Sequence, residues 1–315
     1  MTNAPGKPRI FIAGHRGMVG SALMRRLARE DVELLTVSRD ALDLRDQSAV
    51  RAWVADKAPD AIILAAAKVG GILANQNAPA DFLADNLLIA ANVIEGAHRA
   101  GVERLVYIGS AAAYPLHAPQ PIGEDALLTG PLDPTHEGYA IAKIAGIKLC
   151  ETLRRQYGRR YFAALPCNLY GVNDHYDPQT SHVVPALIRK FHAAVRGGEA
   201  EVVLWGSGTP RREFLYVDDL ADAIFFLLER YDGAAPINVG AGADLTIREL
   251  AGIIGKAAGF AGTLAFDSSK PDGAPRRLMD SSRLNALGWR PKTGLEDGIA
   301  EAYRWFLREG AGEHA

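Results

Sequence analysis

Tyr139 and Lys143 stand four positions apart in the string Tyr139-Ala140-Ile141-Ala142-Lys143. On a helix that spacing puts both side chains on one face. A free phenol has a pKa of about 10 and gives up its proton slowly at neutral pH. A neighbouring ammonium stabilises the phenolate and lowers that value. Ser110 comes earlier and follows the apolar run Arg104–Gly109, so its hydroxyl is expected at the C-terminal end of a strand. A serine that orients a carbonyl oxygen, a tyrosine that protonates it and a lysine that tunes the tyrosine make a hydride-transfer site. Tyrosine and lysine at this spacing are common on helix surfaces, so the pair alone is weak evidence.

A second motif gives the pair its meaning. Ile10–Ala13 is an apolar run, and Gly14-His15-Arg16-Gly17-Met18-Val19-Gly20 follows it directly. Glycines at a strand-to-helix turn let backbone approach phosphate oxygens, while the helix start at Met18 and Val19 offers free N–H donors. The spacing is Gly14-x-x-Gly17-x-x-Gly20, a looser variant of the dinucleotide fingerprint. The next strand closes with Thr36-Val37-Ser38-Arg39-Asp40. An acidic residue at that strand end would hold the 2′-hydroxyl of NAD. Arg39 and Arg16 suit a 2′-phosphate instead. With Asp40 assigned to the loop, the expected cofactor is NADP(H). Ala65, Ala66 and Ala67 are small enough to leave room for the dinucleotide, and Asp43 and Leu44 are placed to edge the adenine. No metal site is assigned.

These residues need a scaffold. Strand signals at Ile10–Ala13, Leu34–Val37, Ala61–Leu64, Arg104–Gly109 and Phe162–Leu165 alternate with helical spacing at Met18–Arg29, Ser48–Ala55, Asn86–Ala100 and Tyr139–Tyr157. That rhythm predicts an α/β, Rossmann-like, doubly wound parallel sheet. After Pro166 the loops lengthen. Helices are expected at Val184–Val195, Val217–Arg230, Ile247–Ala258 and Leu295–Arg308, with short strands at Val202–Leu204 and Ile237–Val239. Residues 1–166 are thus read as the cofactor domain, with 213–240 returning to its sheet. Residues 167–315 are read mainly as a smaller α/β substrate lobe.

Bulk properties narrow the class. The chain has 315 residues, 48% of them hydrophobic and 23% charged, an ordinary globular composition. Its formal net charge of −2 gives no reason to expect nucleic acid or an anionic membrane as partner. Two cysteines, Cys150 and Cys167, make no disulfide framework. The polar N-terminal stretch Met1–Pro8 is not a secretory signal, so the expected location is the cytoplasm.

The string from Ile12 to Ser21 resembles that of GDP-L-fucose synthases, the GDP-4-keto-6-deoxymannose 3,5-epimerase-4-reductases of the extended short-chain dehydrogenase/reductase superfamily. The segments Leu64–Gly71, Tyr139–Lys148, Asn168–Gly171, Ser181–Leu187, Trp205–Pro210, Arg212–Leu215 and Lys270–Gly273 are similar too, so the likeness runs almost end to end. It implies that Ser110, Tyr139 and Lys143 perform the reduction. Pro166, Asn168 and Leu169 would line the nicotinamide, with His182 at the cofactor's edge. Asn168, His182, Val183, Lys190, Trp205, Arg212 and Asp272 would face a GDP-linked 4-keto-6-deoxysugar. Arg212 is read in the loop Thr209–Arg212, where with Lys190 it can offset diphosphate charge. The resemblance also implies a homodimer formed through the helices Asn86–Ala100 and Tyr139–Tyr157.

One position departs from the family. Where these enzymes carry Gly-Ser-Ser-Cys, this chain has Gly109-Ser110-Ala111-Ala112. By resemblance the cysteine pairs with a histidine, here His182, to move protons at C3 and C5. A methyl group exchanges none. Three explanations stay open: a pure C4-reductase of a hexose or heptose substrate, a base supplied by another group such as Cys167 or water, or an alanine introduced by substitution. A sugar-nucleotide 4-epimerase or dehydratase with tightly held NAD is the rival enzyme, and an NADP(H)-sensing binding protein is the rival outside catalysis.

Overall fold

The computed structural model describes residues 6–270 and 272–310. Met1–Pro5 of the polar N-terminal stretch and Pro271 of the Lys270–Gly273 string lie outside the described residues. The elements run β1 (Arg9–Ala13), α1 (Met18–Leu27), β2 (Glu33–Leu35), α2 (Gln47–Lys57), β3 (Ala61–Leu64), α3 (Ile72–Asn77), α4 (Pro79–Arg99), β4 (Arg104–Ile108), α5 (Glu137–Tyr157), β5 (Arg160–Pro166) and β6 (Asn168–Tyr170). They continue with α6 (Val183–Gly197), β7 (Glu201–Trp205), β8 (Arg211–Tyr216), α7 (Val217–Arg230), β9 (Ile237–Val239), β10 (Asp244–Thr246), α8 (Ile247–Ala258), β11 (Thr263–Asp267), β12 (Arg276–Arg277), α9 (Ser282–Ala286) and α10 (Leu295–Trp305).

Six of these strands form one parallel sheet in the order β2-β1-β3-β4-β5-β9. The reversal between β1 and β3 opens a crevice at their C-terminal ends, where such folds bind ligands. Strands buried on both faces need no alternation. Ile10-Phe11-Ile12-Ala13 and Ala61-Ile62-Ile63-Leu64 are accordingly buried throughout. The helices between the strands complete the doubly wound α/β architecture. The strand Ile237–Val239 pairs with β5 through Ala164, Leu165 and Pro166.

A second apolar cluster, including Tyr170, Phe191, Phe214, Leu250, Ile254 and Ile299, lies apart from the cluster beneath the main sheet. Around it β8 pairs with β6 and β12 in parallel and with β10 antiparallel, while β7 pairs with β11. Three expectations are corrected here. The loop reading of Thr209–Arg212 fails at its end, because Arg211 and Arg212 open β8. Sequence pattern missed that strand because Arg-Arg-Glu at its start hides the apolar Phe214-Leu215-Tyr216. Strand two also stops at Leu35 rather than Val37, so Arg39 lies well out in the following loop. The helix expected from Asn86 starts earlier, at Pro79, which takes the first helical turn where its missing N–H costs nothing. The last helix widens after Trp305 into a π turn over Phe306–Gly310.

Asn238, fully buried on β9, joins the sheet to the loops that follow β4. Its Oδ1 accepts from the Tyr114 hydroxyl at 2.7 Å, its Nδ2 donates to the carbonyls of Ile122 and Asp280 at 2.9 and 3.1 Å, and its backbone N–H donates to Glu124 Oε1 at 3.0 Å. Asn238→Ala removes three side-chain hydrogen bonds and leaves the buried Tyr114 hydroxyl without its partner, so it is expected to lower the unfolding free energy by about 3 kcal/mol in urea titrations. A loss below about 1 kcal/mol would show that this junction carries little of the stability.

Candidate active site

At the turn after β1, Gly14 has φ +91°, and a Cβ there would lie 2.7 Å from the backbone of Ala66. A Cβ on Gly20 would lie 2.0 Å from the Gly14 carbonyl oxygen. Both glycines are therefore required by packing. Gly17 is different: a Cβ there would meet nothing nearer than 3.7 Å, so the space above it is open. Gly17 also caps α1 without a side-chain hydrogen bond, and no acid occupies the first turn. The N–H groups of Met18 and Val19 thus begin an uncapped helix with its positive end free, a setting suited to phosphate. Ala65, Ala66 and Ala67 are half-buried beside this turn, and the Ala65 N–H donates to Ala13 O at 3.0 Å.

Arg16 and Arg39 are both exposed, and neither forms an ion pair among the described residues. Asp43 is otherwise engaged. Its two oxygens accept from Arg45 at 2.7 to 3.1 Å, which holds its carboxyl at about 2. Leu44 is half-buried, and its carbonyl accepts from Asn92 Nδ2 at 3.1 Å. The residues present therefore fit a dinucleotide with a 2′-phosphate: an open glycine turn, a free helix start and two uncommitted guanidinium groups.

Ser110 follows β4 and opens a short turn over Ala111–Ala113. Its Oγ accepts the Ala112 N–H at 3.1 Å, which leaves the hydroxyl proton free to donate. Tyr139 lies on the first turns of α5 next to Ser110. Burial pushes its phenol up to about 12, and the Ser110 hydroxyl works in the opposite direction. Lys143 is buried. Its Nζ donates to Ile108 O at 2.8 Å and lies 4.9 Å from the centre of the Tyr107 ring and 5.7 Å from that of Tyr139. Burial lowers the ammonium to about 7. The structure thus brings Ser110, Tyr139 and Lys143 together at the C-terminal end of β4. Pro166 is buried at the end of β5, whereas Asn168 is exposed and donates from Nδ2 to Glu213 O at 2.9 Å. Leu169 is half-buried beside it.

The remaining residues spread over the second cluster. Arg212 is half-buried on β8, and its guanidinium is lowered first by burial and then by the charge of Arg277. Arg277, which sequence reasoning passed over, is held down by burial too, and its Nη2 is buried without a hydrogen-bond partner. Two crowded guanidiniums with an unsatisfied donor call for an anion. The Arg276-Arg277 pair after Asp272-Gly273 was the available signal. Asp272 is exposed and accepts from Ser207 N and Oγ at 2.9 and 2.7 Å. Trp205 is 65% exposed, so it is no core residue, and Lys270 Nζ lies 5.5 Å from its ring centre. Lys190 is exposed and donates to Val203 O. His182 and Val183 begin α6. His182 is exposed as a residue, and desolvation of its imidazole, with the charge of His175 adding to it, lowers its pKa. No described hydrogen bond links His182 to the Ser110–Tyr139–Lys143 group. Cys150 and Cys167 are buried free thiols, both raised by burial, so neither serves as a ready base.

The chain is similar to known proteins over almost its whole length. The model of the NAD dependent epimerase/dehydratase family matches residues 10–240. A GDP-L-fucose synthase of Sinorhizobium fredii is 54% identical over 299 residues, covering 95% of each chain. The GDP-L-fucose synthase of Escherichia coli K12 is 52% identical over 311 residues, covering 96% of this chain and 97% of its own. Among solved structures, MlghC, a GDP-mannoheptose C4 reductase from Campylobacter jejuni with NADP bound, superposes with a TM-score of 0.88 at 35% identity, over 97% of this chain and 100% of that one.

The depressed pKa of Lys143 has a measurable cost. Its folded value of about 7 lies below the 10.5 of an exposed lysine, so the charged form opposes folding. That cost is fully present below pH 7 and fades as pH rises toward 10.5. Lys143→Met is expected to raise the unfolding free energy by roughly 2 kcal/mol at pH 6 and by progressively less toward pH 10. Equal effects at both pH values in thermal melts would contradict the buried ammonium.

Proposed function

This chain belongs to the GDP-L-fucose synthase family, within the NAD dependent epimerase/dehydratases, and we propose that it uses NADPH to reduce the C4 ketone of a GDP-4-keto-6-deoxysugar. The observation that carries this is the meeting of Ser110, Tyr139 and Lys143 at the end of β4, on the same sheet as the open glycine turn. When bound, the cofactor supplies the hydride. Gly14, Gly17, Gly20 and the start of α1 would hold its diphosphate, and Arg16 and Arg39 would hold its 2′-phosphate. Ala65–Ala67, Asp43 and Leu44 line the adenosine side, and Pro166, Asn168, Leu169 and His182 line the nicotinamide side.

The chain's own groups handle the proton. The Ser110 hydroxyl, already accepting from Ala112, donates to the C4 oxygen and fixes it beside Tyr139. The Tyr139 phenol, kept protonated by burial, delivers its proton to that oxygen as the hydride reaches carbon. The Lys143 ammonium stabilises the phenolate left behind. Residues 1–166 with 213–240 form the cofactor side. Most of 167–315 takes the GDP-sugar, with Arg212 and Arg277 on the diphosphate and Trp205 offering a flat face to a ring. His182, Val183, Lys190 and Asp272 complete that side.

Ala112 and the likeness to a GDP-mannoheptose C4 reductase favour a second reading, reduction without epimerisation. The exposed side chains of Leu87 and Leu88 on α4 and Ile141 on α5 support a homodimer across these helices. The cytoplasm is the matching compartment for free nucleotide sugars. Among the described residues no helix is long and apolar enough to cross a membrane.

The purified protein is expected to oxidise NADPH in step with loss of GDP-4-keto-6-deoxymannose. No turnover of any GDP-ketosugar sinks the proposal. NAD retained through purification and recycled would point to an epimerase or dehydratase. Tyr139→Phe is expected to lower kcat by about 1,000-fold while NADPH binding persists. Removing both Arg16 and Arg39 as alanines is expected to raise KM for NADPH at least ~10-fold and to leave that for NADH nearly unchanged. An equal change for both cofactors would refute the 2′-phosphate assignment.

A further inference from the structure

Three positions before Tyr139 stands His136, which the reduction does not use. His136 is the N-cap of α5, and the helix carries Tyr139 in its first turn and Lys143 one turn further on. His136 is half-buried. It lines, with Thr135, Tyr139, Asn75 and Pro79, a recess of about 240 Å³.

A hydrogen-bonded chain fixes the state of its ring. Thr135 Oγ1 lies 2.7 Å from Asp133 Oδ1 and 3.0 Å from His136 Nδ1. Burial works to raise the Asp133 carboxyl, but the Thr135 hydroxyl and N–H outweigh it and hold the group ionised. An ionised carboxylate only accepts. The single hydroxyl proton of Thr135 therefore goes to Asp133, and the hydroxyl must accept from the ring. Nδ1 carries that proton, and the unshared pair of the neutral imidazole is on Nε2. Burial keeps the ring neutral, with Asp133 raising and Arg277 lowering its pKa.

Arg277 connects the surroundings of His136 with the turn that carries Ala112. Arg277 Nη1 reaches the carbonyls of Ala111 and Tyr114 at 3.4 and 3.3 Å, and its charge acts on Asp133 and His136 as well. One guanidinium thus gathers the Ala111–Ala113 turn and the Asp133-Thr135-His136 chain around it. Ser110, which opens the turn, adjoins Tyr139.

We propose that His136 Nε2 is the proton-transfer group for the carbons flanking the ketone, in place of the thiol that Ala112 lacks. The inference rests on the GDP-4-ketosugar reading of the same site. Nε2 takes the proton from C3 or C5. The C–H pair becomes a carbon–carbon double bond, and the π pair of the ketone moves to its oxygen, which Tyr139 and Ser110 hydrogen-bond. Water returns a proton to the same carbon on the opposite face, the pair on the oxygen re-forms the ketone, and the imidazolium gives its proton to the hydroxide left behind. One proton leaves and one arrives, no electrons are gained or lost, and the centre inverts. Asp133 and Thr135 are positioning residues.

The test incubates the full-length enzyme with GDP-4-keto-6-deoxymannose in deuterated water without NADPH and follows deuterium at C3 and C5 by NMR. NADPH oxidation is measured in parallel, and NADPH-binding fluorescence checks that each variant is folded. The native enzyme is expected to take up deuterium. His136→Asn is expected to slow that uptake about 100-fold relative to NADPH oxidation. Thr135→Val should slow it about 10-fold, and Thr135→Ser should restore it. Native-like uptake in His136→Asn overturns the proposal. So does a native enzyme that oxidises NADPH without taking up deuterium, an outcome that leaves the reductase reading standing. A native enzyme that does neither removes both.

Discussion

The burial of one ammonium group under the end of β4 organises this molecule. Lys143 Nζ bonds to Ile108 O at 2.8 Å, the last carbonyl of the strand that leads into Ser110. That bond needs α5 to approach the sheet closely. The approach is bought by Gly146, where a Cβ would lie 2.5 Å from the Tyr107 ring. Gly109 fits against Leu165 in the same way, with a Cβ contact of 3.1 Å. Helix and strand therefore meet backbone to side chain, and the phenol of Tyr139 is carried to Ser110 by the same contact. Desolvation then pushes tyrosine and lysine in opposite directions, to about 12 and about 7. A phenol held protonated beside an ammonium near its midpoint is a proton donor whose conjugate base is already provided for.

A second concentration of like charge lies where β8 and β12 run side by side. Arg211 pairs in register with Arg276, and Arg212 with Arg277. The first pair is compensated, since both guanidiniums bond to Asp244 and Arg211 also lies 3.9 Å from Glu249. The second pair has no such carboxylate, and burial lowers both members. Neighbouring residues on the same strands thus have opposite fates: the outer pair ties the lobe together, and among the described residues the inner pair has no bonded carboxylate. The Asn173 Nδ2 bond to Arg16 O at 2.8 Å links the loop before α6 back to the glycine turn.

Much of this was legible in the sequence because the signals were local. Ala61–Leu64, Val217–Arg230, Ile237–Val239 and Ile247–Ala258 form elements with the bounds that periodicity assigns them. Tyr139 and Lys143 were legible because helical spacing dictates their proximity, and the glycine turn and Ser110 because each directly follows an apolar strand run. What escaped depends on pairing across the chain. Arg212 is read as loop because a strand that opens with three charged residues shows no alternation, and only β6, β10 and β12 make it one. Arg277 gains meaning from Arg212 beside it, and His136 from Thr135, Asp133 and the alanine at 112. The bond of Asp43, read as an edge of the adenine site, to Arg45 was likewise not legible.

Transfer of hydride from cofactor to sugar is the claim on which the account stands. NADPH carrying deuterium at both C4 positions of its nicotinamide, incubated with GDP-4-keto-6-deoxymannose and the enzyme in ordinary water, reports on it directly by mass spectrometry and NMR of the product. The account predicts one deuterium at C4 of the GDP-sugar for each NADP released. A product without label at C4, or unreduced ketone with the NADPH intact, would contradict it.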